Sequence, residues 1–214
     1  MGQYYTPILF KGNTKKAFYS HQFDNGLKLM EHSYIGNSFT ESIVKYMLET
    51  GGSFRLAWVG DYAQEFLDNE AKGEEKFPNP AFYEDADLFG SKFRKIIQKF
   101  VDYERNETKK YFQPTRVNRM ENSSQLVFVN HTKKEFVDME HYCDDNKCDN
   151  WGCKIHPLPL LTAIGNGYGG GDYRGSKVTD INYVGTWAGD EIEVVNWFDN
   201  RENNYKEIRP LFKE

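Results

Sequence analysis

Two stretches of the chain share a pattern that constrains the fold more than any other feature of the sequence. Residues 8–19 read ILFKGNTKKAFY and residues 126–137 read LVFVNHTKKEFV. Each has an apolar run, a polar turn ending in Thr-Lys-Lys, and a second run around a phenylalanine. Aromatic and β-branched residues on both sides of a short turn containing Gly or Asn are typical of β-hairpins. The sequence therefore predicts two hairpins.

Three further pairs of stretches follow the hairpins in the same order. They are LKLM at 27–30 with LPLL at 158–161, IGN at 35–37 with IGN at 164–166, and WVGD at 58–61 with WAGD at 187–190. This order favours a diverged tandem duplication within one domain, 1–214, with halves 4–61 and 125–198 and an inserted segment 62–124. The alternative is that strand-turn-strand patterns recur because few residue types suit turns.

Helical periodicity appears at two places. Ser38-Phe39-Thr40-Glu41 has the spacing of a capping box, and Gly51-Gly52 is typical of a helix end. Apolar residues at helical spacing predict a second helix at about 88–105. Strands are expected near 4–10, 15–20, 27–32, 53–59, 125–130, 135–140, 158–162, 181–187 and 191–197. The predicted class is α+β, a mainly antiparallel sheet covered by two helices.

The net charge of −5 conceals a segregation of charge along the chain. Residues 61–90 contain nine acidic residues, and residues 91–119 contain nine basic ones. The basic block could bind nucleotide, nucleic acid or an acidic partner. The other interpretation is that the two blocks neutralise each other on a solvated surface, because runs of charged residues usually form solvated faces.

Apolar runs in the sequence are short. None approaches the ~20 residues of a membrane span, and no secretory signal is visible at the amino terminus. We therefore expect a cytoplasmic protein without membrane partners, whose three cysteines are reduced.

The glycine-rich stretch GNGYGGGDYRG at 165–175 raises the question of phosphate binding. Successive backbone amides of such a loop can surround an anion, and an arginine can bind it bidentately. The candidate ligand-binding residues are Gly167, Gly169, Gly170, Gly171 and Arg174. However, the residues that follow lack the helical periodicity of a dinucleotide-binding motif. This difference favours a loop that only links strands.

A group of cysteines and histidines has the composition of a zinc site. Cys143, Cys148, Cys153 and His156 would supply a tetrahedral Cys₃His set for a structural zinc, and His141 could replace one ligand. Paired C-x2-C motifs are missing from this stretch. Unligated thiols and a Cys143–Cys148 disulfide are the alternatives.

Four residues are candidates for catalysis, namely His32, Asp61, Asp172 and Asp190. Asp61 and Asp190 each follow Trp-x-Gly, so a duplication would place their carboxylates at a shared seam, where they could bind a divalent metal or divide acid and base roles. The alternative is ordinary turn chemistry, in which the carboxylate accepts from nearby backbone amides. The sequence contains no G-x-S-x-G or H-E-x-x-H motif.

Several stretches resemble a family of uncharacterised bacterial and bacteriophage proteins. They are MGQYY at the start, GLKLMEHSYIGN at 26–37, WVGDYA at 58–63, HPLPLLTAIGNGYGGGDYRG at 156–175 and GTWAGDEIEV at 185–194. The resemblance implies a bacterial or phage-infected cell and carries over no catalytic residues. It favours a non-enzymatic protein that binds a bacterial protein partner and inhibits or modulates a host system. A nucleotide- or phosphoester-directed enzyme is the alternative.

Overall fold

A mixed sheet of eight strands organises the part of the chain that the computed structural model describes, namely residues 3–71, 86–107, 125–146, 153–165, 180–198 and 204–212. The strands are β1 (Tyr5–Lys11), β2 (Thr14–Ala17), β3 (Phe54–Gly60), β4 (Val127–Asn130), β5 (Glu135–Asp138), β6 (Ala163–Ile164), β7 (Glu191–Val195) and β8 (Lys206–Glu207). Their order is β2-β1-β3-β7-β4-β5-β8, and β6 pairs with β3. Only the β3–β6 and β5–β8 pairs among these are parallel.

Six α-helices accompany the sheet in the described residues. They are α1 (Leu29–His32), α2 (Ser38–Thr50), α3 (Ala63–Ala71), α4 (Ala86–Glu107), α5 (Met139–Asp145) and α6 (Pro157–Leu161). The predicted α+β class and the mainly antiparallel sheet are therefore confirmed. The two helices that periodicity predicted are present as α2 and α4, and four further helices accompany them in the described residues.

Both hairpins form as the sequence predicts, but their turns differ. Lys11 pairs with Thr14 in the first hairpin, so the turn contains two residues, and Gly12 has a φ of +57°. Asn130 pairs with Glu135 in the second, so its turn spans four residues, 131–134. The shared Thr-Lys-Lys therefore lies in a strand in one hairpin and in the turn of the other.

The strand order of the sheet is symmetric about the antiparallel β3–β7 pair. Beside each central strand lies a hairpin with its first strand innermost, β1 then β2 beside β3 and β4 then β5 beside β7, as a duplication would produce, and β8 extends the second side alone. The tryptophans do not occupy equivalent positions, because Trp58 lies within β3 and Trp187 lies in a turn four residues before β7. The Trp58–Trp187 equivalence therefore fails at the level of secondary structure, and the duplication stays a prediction.

The two faces of the sheet support separate hydrophobic clusters. On the first face, side chains of the central strands, such as Trp58, Phe128 and Ile192, pack with residues of α1, α2, α5 and α6. On the second face, Ile8 and Val59 pack against Leu67 of α3 and Phe100 of α4. The segment 62–124 thus supplies the helices that cover the β1–β3 half of the second face.

Helix α2 begins one residue earlier than the predicted capping box requires. Its N-cap is Asn37, whose side-chain oxygen accepts from the amides of Phe39 and Thr40 at 3.0 and 3.2 Å. Glu41 then reaches back to the amide of Gly36 at 2.7 Å. The assignment of Ser38 as the cap is therefore wrong, although the helix and its end at Gly51 are confirmed.

Three predicted strands are wrong. The stretches 27–32 and 158–162 contain the short helices α1 and α6, and 181–187 begins with a 3-10 helix (Ile181–Tyr183) and continues as turns. Short apolar runs do not distinguish a buried strand from a buried helix by periodicity. In α6, Pro157 lies in the first turn, where its missing N–H costs no hydrogen bond.

Helix α4 is the longest helix of the described residues, and its predicted apolar stripe faces the sheet. No helix in the described ranges has the length and hydropathy of a membrane span.

Candidate functional site

The glycine-rich stretch begins where β3 and β6 end. Because these strands are parallel, with Val59 opposite Ile164, Gly60 and Gly165 meet at the same edge of the sheet. A Cβ atom on Gly60 would lie 3.3 Å from the Cα of Gly165 and 2.7 Å from Oε1 of Gln3. This close approach favours glycine at both positions. The candidate residues beyond it lie outside the described residues: Gly167, Gly169, Gly170, Gly171, Asp172 and Arg174.

Asp61 lies at this same edge, directly after β3. Its carboxylate accepts from the amide of Tyr4 at 3.2 Å, and its own amide donates to the carbonyl oxygen of Tyr4 at 3.0 Å. The side chain is exposed, and α3 begins two residues later. Asp61 thus fastens the amino-terminal segment to the end of β3, through a partner far away in the sequence rather than through the nearby amides of the turn interpretation.

His32 is buried beneath the first face of the sheet and both of its ring nitrogens are engaged. Nε2 accepts from the indole N–H of Trp58 at 3.1 Å, so Nδ1 carries the proton and donates to the carbonyl of Gly26 at 3.1 Å. Burial lowers the pKa of His32 to about 4. At neutral pH this side chain is an uncharged bridge between α1 and β3.

Asp190 is buried in the turn before β7. Its carboxylate accepts from the side-chain amide of Asn130 at 2.8 Å and lies 3.8 Å from the ammonium of Lys133. Lys133 also donates to the carbonyl of Thr186. Burial raises the pKa of Asp190, and the charge of Lys133 opposes that shift. The network joins the turn of the second hairpin to the turn that contains Trp187.

The structure does not bring Asp61 and Asp190 together. The carbonyl of Asp190 accepts from the amide of Leu56, five residues before Asp61 on β3. At the rise of a β-strand this separation is roughly 17 Å. The two carboxylates therefore do not form the shared seam that the sequence comparison suggested.

Three of the four proposed zinc ligands lie within the described residues. Cys148 lies outside the described residues, whereas Cys143 and Cys153 are half-buried. His156 is fully buried, and its Nδ1 accepts from the amide of Leu158 at 3.2 Å, capping α6. A metal on His156 would therefore have to be bound through Nε2.

Burial strongly affects the titration of this group of residues. It lowers the pKa of His156 to about 3 and raises the pKa of the Cys143 thiol. His141, the substitute ligand, is instead hydrogen-bonded to Glu207 at 2.7 Å, which raises its pKa. Within the described part of the chain no three His, Cys, Asp or Glu side chains are placed to hold a metal ion. Zinc stays a prediction for metal analysis of the purified protein.

The described part of the basic block lies on the solvent side of α4. Lys95, Lys99 and Arg105 are exposed, and Lys99 contributes to a shallow cleft of about 240 Å³ with Lys15 and Tyr103. The cleft also contains Asp102, which reduces its positive potential. No ion pair between the acidic and the basic block is seen between the described residues of α3 and α4. A hydrogen bond between two side-chain amides joins these helices instead.

Sequence reasoning missed an exposed tryptophan after β7. Trp197 has 70% of its surface exposed, more than the other exposed large apolar residues of the described part. The adjacent Phe198 packs against Phe136 and Tyr205, with ring centroids 5.5 and 5.1 Å apart. The sequence offered one signal for it. Tryptophan is usually largely buried, so a tryptophan among the polar residues of NWFDN indicates an unusual position.

Comparison of the chain with protein-family models, with curated proteins and with solved structures finds no match.

Proposed function

We propose that this chain is a binding protein that acts on a bacterial protein partner and modulates a host system, in the setting that the resemblance to bacterial and bacteriophage proteins implies. The exposed indole of Trp197 carries the proposal. Tryptophan is among the residues that contribute most to protein interfaces, because a large flat side chain is desolvated at low entropic cost.

The surroundings of Trp197 suit a contact surface. Phe198, Phe136 and Tyr205 form a packed aromatic cluster beside it on the second face of the sheet, so the segment after β7 is anchored. Charged side chains adjoin the cluster, because the ammonium of Lys134 lies 5.0 Å from the ring centroid of Tyr205. An apolar centre with a charged rim is the usual anatomy of an interface.

The catalytic candidates that the structure describes support the same choice. His32 and Asp190 are buried in hydrogen-bonded networks that join elements of the fold, and Asp61 fastens the amino-terminal segment. Each of these contacts gives the residue a structural reason to be present.

A capture experiment with the full chain tests the proposal. The immobilised protein is exposed to a bacterial lysate, and retained proteins are quantified for the wild type, for Trp197→Ser and for Tyr19→Ser. Tyr19 is the matched control because it is an exposed aromatic residue, at 37%, that precedes the distant 3-10 helix Ser20–Phe23. We expect Trp197→Ser to retain at least tenfold less of a bacterial protein that the wild type and Tyr19→Ser retain in equal amounts. Equal retention by all three proteins would refute the role of Trp197.

A second candidate, a nucleotide- or phosphoester-directed enzyme, has one observation in its favour. Gly165, the first residue of the glycine-rich stretch, lies at the carboxyl ends of the parallel strands β3 and β6, and α3 begins two residues after Asp61 at the same edge. Sheets that contain parallel strands often bind ligands at this edge, where a helix amino terminus favours anions.

Thermal shift with ATP plus Mg²⁺, and separately with inorganic phosphate, tests the second candidate. A ligand at one hundred times its Kd stabilises by about 2.7 kcal/mol, which corresponds to a rise in Tm of several degrees. An unchanged Tm with both ligands would contradict this candidate. The same rise in Asp61→Asn and in the wild type would show binding without a role for Asp61.

A further inference from the structure

A hydrogen-bonded row of three titratable side chains lies on the second face of the sheet. Glu193 belongs to β7, His131 follows β4, and Tyr205 precedes β8. Nε2 of His131 lies 2.9 Å from Oε2 of Glu193, and Nδ1 lies 3.0 Å from the hydroxyl of Tyr205. Pairing of Val129 with Glu193 in the β4–β7 ladder sets the register that allows this arrangement.

The direction of these hydrogen bonds follows from their chemistry. An ionised carboxylate can only accept, so Glu193 requires the proton of His131 on Nε2. In the neutral imidazole Nδ1 is then the acceptor, and the phenol of Tyr205 must donate to it. A carboxylate that orients an imidazole, which in turn accepts from a hydroxyl, is the arrangement that activates hydroxyl nucleophiles.

The row is held in place and remains accessible. The side chains of His131 and Glu193 are 30% and 27% exposed. The ring of Tyr205 stands edge-on to those of His131 and Phe198, with centroids 5.9 and 5.1 Å apart. The ammonium of Lys134 lies over the Tyr205 ring, 5.0 Å from its centroid, and helps to hold the ring in place.

We propose that Tyr205 is a nucleophile, activated by His131, that accepts an acyl group from an activated carboxylic ester. The phenol oxygen forms a bond to the ester carbonyl carbon while its proton moves to Nδ1 of His131. The bond from the carbonyl carbon to the leaving oxygen then breaks, and His131 returns the proton to that oxygen. Glu193 is a positioning residue that stabilises the transient imidazolium. The proposal does not require a partner at Trp197, although Tyr205 belongs to the aromatic cluster beside that residue.

Acetylation by p-nitrophenyl acetate tests the proposal on the full chain. Because the chain has 14 tyrosines, acetylation is measured at each by peptide mass spectrometry. The reference is Tyr4, which is 52% exposed. We expect Tyr205 to react about tenfold faster than Tyr4 although it is less exposed, since a positioned general base contributes at least this much. Equal or slower reaction of Tyr205 would overturn the proposal.

Substitutions separate base assistance from simple exposure. His131→Ala is expected to lower the acetylation rate of Tyr205 about tenfold, and added imidazole is expected to restore it. Should that variant unfold, His131→Gln serves, because its amide can donate to Glu193 but is not a base. An unchanged rate in the folded His131 variant would refute the assigned role.

Glu193 is tested by a comparison of carboxylates on one strand. Glu193→Gln is expected to lower the rate at Tyr205 several-fold, and Glu193→Asp to retain more of it. Glu191→Gln is the matched control, because Glu191 lies on the same face of β7 and pairs instead with Arg55 at 2.6 Å. Equal effects of Glu193→Gln and Glu191→Gln would show that Glu193 does not position His131.

Discussion

We expect the free energy of unfolding to fall by about 5 kcal/mol between pH 7 and pH 4.5 through two buried histidines, His32 and His156. Their pKa values in the folded protein are about 4 and about 3, against 6.5 for the exposed side chain. The unfolded chain therefore binds protons in this range that the folded chain does not. The stabilisation is present above pH 6.5 and is lost as the pH falls towards the folded pKa values. Each histidine contributes about 2–3 kcal/mol to the fall.

Two other groups oppose this fall. The pKa of His141 is raised by its hydrogen bond to Glu207, and the pKa of Asp190 is raised by burial, so both favour the folded state as the pH decreases. The surface pair of His141 and Glu207 contributes little because solvent screens it. The contribution of one buried histidine must therefore be isolated by substitution.

The substitution His156→Asn isolates the contribution of His156 to the pH dependence of stability. An asparagine oxygen can still cap α6 by accepting from the amide of Leu158, but the side chain does not titrate. Urea unfolding at pH 7 and pH 4.5 should show a free-energy loss about 2–3 kcal/mol smaller in His156→Asn than in the wild type. The same loss in both proteins would show that His156 is not buried and neutral.

The second large effect is expected from Trp58→Phe, with a loss of about 2–4 kcal/mol in the free energy of unfolding. The substitution removes the N–H that donates to His32 and leaves space in the fully buried interior. An unsatisfied buried acceptor and a cavity each contribute to the loss. Urea unfolding at pH 7 measures it, with the exposed Trp197→Phe as control. A loss below 0.5 kcal/mol, as expected for Trp197→Phe, would contradict the buried Trp58–His32 pair.

The features of the fold that local pattern determines could be predicted from the sequence. Both hairpins, the α2 and α4 helices and the mainly antiparallel sheet follow from periodicity and turn residues. The short helices α1 and α6 could not, because their apolar residues also suit a strand. Their stability depends on burial and on caps such as that of His156, which become evident only when the chain is folded.

The candidate site was harder to predict, because its important contacts join residues far apart in the sequence. Asp190 was identified, but its partners Asn130 and Lys133 lie about 60 residues away and their roles follow from the β4–β7 pairing. The row Glu193–His131–Tyr205 depends on the same pairing. No local motif marks such a set, since each residue type is common in turns and strands.

A contact surface at Trp197 and a catalytic site at Asp61 lead to opposite results in one binding measurement. A host protein captured by the wild type is titrated against the wild type, Trp197→Ser and Asp61→Asn, all verified as folded. We predict that Trp197→Ser raises the Kd at least tenfold and that Asp61→Asn leaves it within twofold. An unchanged Kd for Trp197→Ser, or a tenfold loss for Asp61→Asn, would contradict the account.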